Sequence, residues 1–158
     1  MGVIEGILNW RVVDGDTSTS GQPSEAELAA LAGDGVGVIV NLGPHDNKGA
    51  LADEPGEVAG LGMEYVYIPV DFDAPTEDDY AAFGAALDAR AGQRVHVHCI
   101  YNARVSAFFY RRAVDAGAGV DAAQARMDGI WRPGGVWAEF IGKPEDAAEP
   151  NRYKGYDY

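Results

Sequence analysis

One cysteine, Cys99, stands where an apolar strand runs out and a helix begins, and Arg104 follows it at the helix entrance. The segment reads Arg94-Val-His-Val-His-Cys99-Ile-Tyr-Asn-Ala-Arg104-Val-Ser106. A helix N-terminus carries unpaired backbone N–H groups and the positive end of the helix dipole, so it is suited to an anion. A thiol in that field is acidified, and a thiolate is a nucleophile. Arg104 can hold two oxygens of a phosphate or sulfate at once. The chemistry suggested is attack on an oxyanion such as a phosphate ester. A buried core cysteine and a surface arginine are the plainer alternatives.

Three further groups bear on that chemistry. Asp71, after Ile68-Pro-Val at a strand end, is placed to protonate a leaving group, and Asp73 is a near-equal candidate. Either can instead cap the loop before Thr76. Ser106, one turn into the helix, is a candidate donor to the thiolate or simply a small packing residue. His98 is expected to brace the loop through a backbone hydrogen bond. His96, His98, Cys99 and His45 face different ways for a metal site, so no metal and no cofactor is expected. Trp131, Trp137, Phe108 and Phe109 fall at helical spacing and read as core.

These residues need a scaffold, and alternating patterns along the chain supply one. Apolar runs at Val36 to Leu42, Met63 to Val70 and Val95 to His98 read as strands, with an edge strand near Leu8 to Val13. Helices are predicted after Ser24 and Thr76, over Glu54 to Leu61, from Ala103 to Ala116, from Asp121 through Trp131, and around Trp137. The fold class is α/β: a three-layer α/β/α sandwich around a mostly parallel sheet of four to five strands. Ligands of such sheets bind at the carboxyl ends of the strands. The loops Leu42 to Lys48, Asp71 to Pro75 and Cys99 to Arg104 all arrive there. Residues 1–144 read as one domain, and 145–158 as an acidic, aromatic tail packed loosely against it.

Composition narrows the partners. A net charge of −13 in 158 residues repels nucleic acid and anionic membranes, leaving a small anionic or phosphorylated substrate met in a local positive pocket. No apolar run is long enough to span a bilayer, and the N-terminus lacks a signal-peptide pattern. The lone cysteine is a free thiol, which suits the reducing cytoplasm.

The His98-Cys99 to Arg104 segment resembles the signature of cysteine-dependent protein tyrosine and dual-specificity phosphatases. The wider chain resembles the phosphatase-like domains of bacterial beta-lactamase-hydrolase-like proteins through Ser20-Gly-Gln-Pro23, Val38-Ile-Val-Asn-Leu42, Tyr67-Ile-Pro-Val-Asp71, Trp131 and Trp137-Ala-Glu-Phe-Ile141. The resemblance implies a phosphatase-like sandwich and a phosphocysteine mechanism. Cys99 would be the nucleophile, Arg104 the oxyanion-binding arginine, Asp71 the acid on a closing loop, and Ile100, Tyr101, Asn102, Ala103, Arg104 and Val105 the phosphate cradle. The loop is one residue shorter than the phosphatase loop and lacks glycine, so Asn102 is the natural place for a left-handed turn. The phosphatase-like branch shares that length. It is also the loop length of rhodanese-like sulfurtransferases, which carry a persulfide on cysteine. A sulfurtransferase, or an anion-binding module without turnover, therefore stays open beside the phosphatase.

Overall fold

The computed structural model describes residues 2–154. The chain enters through a short 3-10 turn, Ile4–Gly6, into β1 (Arg11–Val12) and β2 (Thr17–Ser20). There follow α1 (Glu25–Gly33), β3 (Val38–Asn41), α2 (Glu54–Gly60), β4 (Glu64–Tyr67), α3 (Glu77–Asp88), β5 (Val95–His98) and α4 (Ala103–Asp115). The last part holds α5 (Val120–Gln124), β6 (Trp131–Arg132), α6 (Gly135–Phe140) and β7 (Arg152–Tyr153). Reciprocal capping boxes start α1 at Ser24 and Glu27 and α3 at Thr76 and Asp79. Among the described residues no helix is long and apolar enough to cross a membrane.

The five-stranded sheet has the order β1-β2-β5-β3-β4, and only β1 runs antiparallel to its neighbour. Val38, Val40, Val95 and Val97 pack on one face with Phe83 of α3 and Val105, Phe108 and Phe109 of α4. Ile39 packs on the other face with Leu28 and Leu31 of α1 and Val58 of α2. Two apolar layers around one sheet make the α/β/α sandwich. Because β5 lies between β2 and β3, the loops leaving all three strands meet at one edge.

Strand β2 is the element the apolar pattern does not reveal, since Thr17-Ser-Thr-Ser20 is wholly polar. It is nonetheless largely buried, because His96 satisfies it. Ser20 Oγ donates to the Gly21 carbonyl (2.7 Å) and so accepts from His96 Nε2 (2.7 Å). His96 Nδ1 is then the acceptor for Ser18 Oγ (2.8 Å), and the imidazole stacks on Trp10. Burial, with the charge of His98 second, holds His96 well below the ordinary imidazole pKa, so it is neutral.

Three other expectations are corrected. The helix predicted from Asp121 through Trp131 stops at Gln124; Gly129 takes φ +83°, and Trp131 lies on β6 instead. Burial of its indole, which donates to Ser106 Oγ (3.1 Å), outweighs helical spacing. The edge strand shrinks to two residues, since Asn9 turns to φ 52°. The tail expected to pack loosely is folded back as far as Lys154. A short 3-10 turn at Pro144–Asp146 leads into β7, which pairs with β6 through Trp131 and Tyr153. Residues 155–158 of that tail lie outside the described residues.

The neutral His96 gives stability a pH dependence. In the unfolded chain an imidazole takes a proton near pH 6.5, whereas the folded site does not, so stability is full above that pH and falls below it. Urea unfolding at pH 7.5, 6.5 and 5.5 should show a loss of up to about 1.4 kcal/mol per pH unit below pH 6.5. A His96→Gln chain should have a shallower slope; an unchanged slope would contradict this account.

Candidate active site

The loop after β5 is shaped by where its carbonyls go. The Cys99 carbonyl accepts from His98 Nδ1 (2.9 Å), the Ile100 carbonyl from the Gln22 N–H (3.0 Å) and the Tyr101 carbonyl from Asn9 Nδ2 (2.8 Å). Every described peptide bond is trans, so each pinned carbonyl turns the next N–H the opposite way. The N–H groups of Ile100, Tyr101 and Asn102 therefore face away from these tethers. Among the described residues, no N–H from Ile100 to Val105 meets a protein acceptor. Six donors without a protein acceptor thus stand at the mouth of a thirteen-residue helix, α4, an arrangement suited to an anion.

Asn102 turns the chain into that helix at φ 77°. Its Nδ2 donates to the Asn9 carbonyl (2.9 Å) and Thr19 Oγ1 (3.1 Å), which offsets the left-handed strain. Gly21 allows the close approach on one side: a Cβ there would stand 2.6 Å from the Ile100 carbonyl oxygen. Gly43 does so on the other, where a Cβ would stand 3.3 Å from Cys99 Cα.

Arg104 is only 7% exposed. Its Nε donates to the Val70 carbonyl (2.8 Å), and its guanidinium lies 5.1 Å from the Phe72 ring centre. With Nε engaged, the terminal nitrogens are the ones available for an oxyanion. A cavity of about 450 Å³ opens here, lined by Asn47 and Lys48, by Phe72, by Ile100, Tyr101, Ala103 and Arg104, and by Tyr153. Cys99 is fully buried and adds no surface to it. A second hollow of about 420 Å³ lies at the amino ends of β2 and β5. Two of its arginines are already in ion pairs, Arg90 with Glu64 and Arg112 with Asp88, and Cys99 is not among the residues that line it.

Beneath the loop is a buried histidine–carboxylate contact that sequence reasoning missed. His98 Nε2 lies 2.6 Å from Glu54 Oε2, and the side chains are 0% and 2% exposed. Gln22 Nε2 donates to the other Glu54 oxygen (2.7 Å). Burial pushes the Glu54 pKa up, yet the hydrogen bond and charge of His98, aided by Gln22, bring it below the usual carboxylate range. Both ring nitrogens of His98 thus face acceptors, one a carbonyl and one a carboxylate. His45 lies farther out, stacked on Tyr67 and paired through Nε2 with Tyr65 Oη (2.7 Å). Burial raises the Tyr65 phenol well above its ordinary pKa, and the nearby Glu54 charge adds to the rise.

Residues 9–118 match the family model described as the beta-lactamase hydrolase-like protein, phosphatase-like domain. The chain belongs to this family. A solved structure of a Shewanella putrefaciens CN-32 protein, titled "Putative phosphatase (DUF442)", is 33% identical with a TM-score of 0.77, over 96% of this chain and 97% of that one. The fold also matches the catalytic domain of the PP-IP phosphatase SIW14 from S. cerevisiae (13% identity, TM-score 0.70, 85% and 84% covered). P. aeruginosa TpbA, solved as a cysteine-to-serine variant in complex with pTyr, matches at 19% identity and TM-score 0.62, with 76% and 72% covered. No curated protein matches the chain. Of the choices that loop length leaves open, the family model and the Shewanella neighbour favour a phosphatase-like domain over a sulfurtransferase.

In this phosphatase-like domain the acid candidates sit on an anchored loop. Val70 is held by Arg104, and the Phe72 carbonyl accepts from Trp137 Nε1 (2.7 Å). Asp71, exposed between them, uses Oδ1 to accept the Asp73 N–H (2.9 Å), so it does cap its turn. Asp73 is exposed too, and the two aspartates flank Phe72, the residue of this loop that lines the cavity, without lining it themselves. Ser106 departs from its expected part. Its hydroxyl donates to the Ala103 carbonyl (3.1 Å) and accepts from Trp131, so its proton is not free for the thiolate. His98 braces the loop from the Cys99 carbonyl, while His45 and Asp46 give way at the cavity to Asn47 and Lys48. Among the described residues no group of three or more His, Cys, Asp or Glu is placed to hold a metal.

No local pattern points to Glu54, Asn9 or Tyr153, because each reaches the site from a distant segment. Gln22 had a signal, since it lies in the Ser20-Gly-Gln-Pro23 stretch quoted for the family. The left-handed turn is open to test by denaturation. Asn102→Ala should cost about 1–2 kcal/mol in strain beyond its lost hydrogen bonds. Asn102→Gly should lose the hydrogen bonds but little strain, and so stay the more stable of the two. The reverse order would show that the turn does not govern the loop.

Proposed function

We propose that this protein is a cysteine-dependent phosphatase that hydrolyses phosphate monoesters through a phosphocysteine on Cys99. The observation that carries the reading is the pinned loop: six unused N–H donors and the Arg104 guanidinium are gathered on the segment that starts at the one thiol. In a chain of net charge −13, a local site of that sign is suited to a small phosphorylated substrate. The free thiol favours a reducing compartment such as the cytoplasm.

The chemistry follows from the groups present. The Cys99 thiolate attacks phosphorus and forms the S–P bond, while the bond to the ester oxygen breaks. Asp71 delivers its proton to the departing oxygen. The cradle N–H groups and the Arg104 terminal nitrogens take up the charge on the equatorial oxygens. Asp71, now a carboxylate, takes a proton from the water that attacks phosphorus in turn, and phosphate leaves as the thiolate is restored. Because Cys99 is covered, a phosphate must part the side chains above the sulfur before attack.

Hydrolysis of aryl phosphates should be lost in Cys99→Ser. Asp71→Asn should lower kcat/KM for esters of poor leaving groups by about 10²–10⁴-fold and for good ones much less, since kcat/KM reports the step that breaks the ester bond and only an alkoxide needs the proton there. Asp73→Asn should slow neither class selectively; if it slows the poor leaving groups and Asp71→Asn does not, the acid is Asp73. Phosphate release indifferent to Cys99→Ser would refute the reading, and Cys99-dependent sulfur transfer from thiosulfate to cyanide in its place would mark a sulfurtransferase.

A further inference from the structure

A phosphate group fills only a small part of the cavity of about 450 Å³ beside the loop. Its cations are Arg104 and Lys48, and most of the remaining wall is apolar or aromatic: Phe72, Ile100, Tyr101 and Tyr153. Tyr153 is the member that comes from outside residues 9–118, the part matched by the family model. It is carried by β7, which is tied to the body through β6, through the Lys154 N–H on the Ile130 carbonyl (3.2 Å) and through Asn151 Oδ1 on the Gly134 N–H (2.8 Å).

The ring is also fixed laterally. It stacks on Trp131 with centroids 5.8 Å apart and planes at 18°, and meets Tyr101 edge-on at 5.6 Å and 85°. Trp131 is itself fully buried and bonded to Ser106. A wall already held in place costs little further order when a ligand packs on it. Burial raises the Tyr153 phenol, while a hydrogen bond with Asn151 and, after it, the Arg104 charge act against the rise.

We propose that Tyr153 is a specificity-determining residue: with Tyr101 it forms the wall against which the alcohol portion of a phosphate monoester packs, selecting flat apolar groups over small ones. The proposal rests on the reading that the Cys99 loop takes phosphate esters. The C-terminal hairpin thereby sets which ester is accepted, while the loop sets that it is a phosphate.

Non-hydrolysable phosphonates separate the two readings, because binding needs no turnover. Calorimetry on the full-length wild-type chain should find benzylphosphonate bound about tenfold more tightly than methylphosphonate, the scale expected from burying much of a phenyl ring. Tyr153→Ala should bring that ratio below about threefold and leave methylphosphonate affinity within about twofold, while Tyr153→Phe keeps the wild-type ratio. Should Tyr153→Ala fail to fold in a thermal melt, Tyr153→Leu, which retains bulk on β7 but no flat face, should show the same loss of ratio. No preference in the wild type, an unchanged ratio in the folded variant, or equal weakening of both phosphonates would overturn the proposal. A ratio that depends on Tyr153 in a chain without Cys99-dependent hydrolysis would keep this inference and refute the phosphatase.

Discussion

Three outward-held carbonyls, those of Cys99, Ile100 and Tyr101, are the constraint on which the site depends. A planar trans peptide cannot turn its C=O one way without turning its N–H the other. Holding the carbonyls from outside therefore orients the donors of Ile100, Tyr101 and Asn102 without any ligand. The tethers come from β5 itself, from the stretch after β2 and from the N-terminal segment. Each is in turn supported: His98 by Glu54, Gln22 by its position after Gly21, and Asn9 by the Asn102 Nδ2 bond to its carbonyl. The strand order β2-β5-β3 brings these segments to one edge.

The buried His98–Glu54 pair illustrates what such a site demands. Charges removed from water are costly unless each finds a partner and its remaining hydrogen bonds are made. Here the carboxylate is met by His98 and Gln22, and both imidazole nitrogens face acceptors. The pair acts less as a source of stability than as a fixed support beneath the Cys99 carbonyl. Arg104 obeys the same logic above the loop: Val70 and Phe72 use part of its guanidinium and fix the direction of the rest. That bond also joins the loop that carries Asp71 and Asp73 to the loop after β5, so both candidate halves of the chemistry share one anchor.

Much of this is legible in the chain. Val95 to His98 matches β5, and Asn102 stands out for the left-handed turn because the loop lacks glycine. Local signals of that kind survive folding: an apolar run, a capping box, a residue type tolerant of positive φ. Strand β2 is hidden because its polar side chains are satisfied by His96, a partner from a distant strand. Glu54 looks like any acidic residue at a helix start until folding brings it to His98 at the end of β5. Trp131 has helical spacing yet sits on a strand, and Tyr153 lies in a stretch whose composition suggests loose packing. In each case long-range burial decides where local pattern is silent or points elsewhere.

The central claim is that the ester phosphate passes through the sulfur held at the end of β5. Rapid acid quench of the Asp71→Asn chain turning over a ³²P-labelled aryl phosphate tests it directly, with the labelled peptide identified by mass spectrometry. The account predicts a phosphoryl group on the peptide carrying Cys99, because breakdown of the intermediate is slowed once the aspartate no longer activates water. Phosphate released at the same rate with no label on that peptide, or label on another side chain, would contradict it.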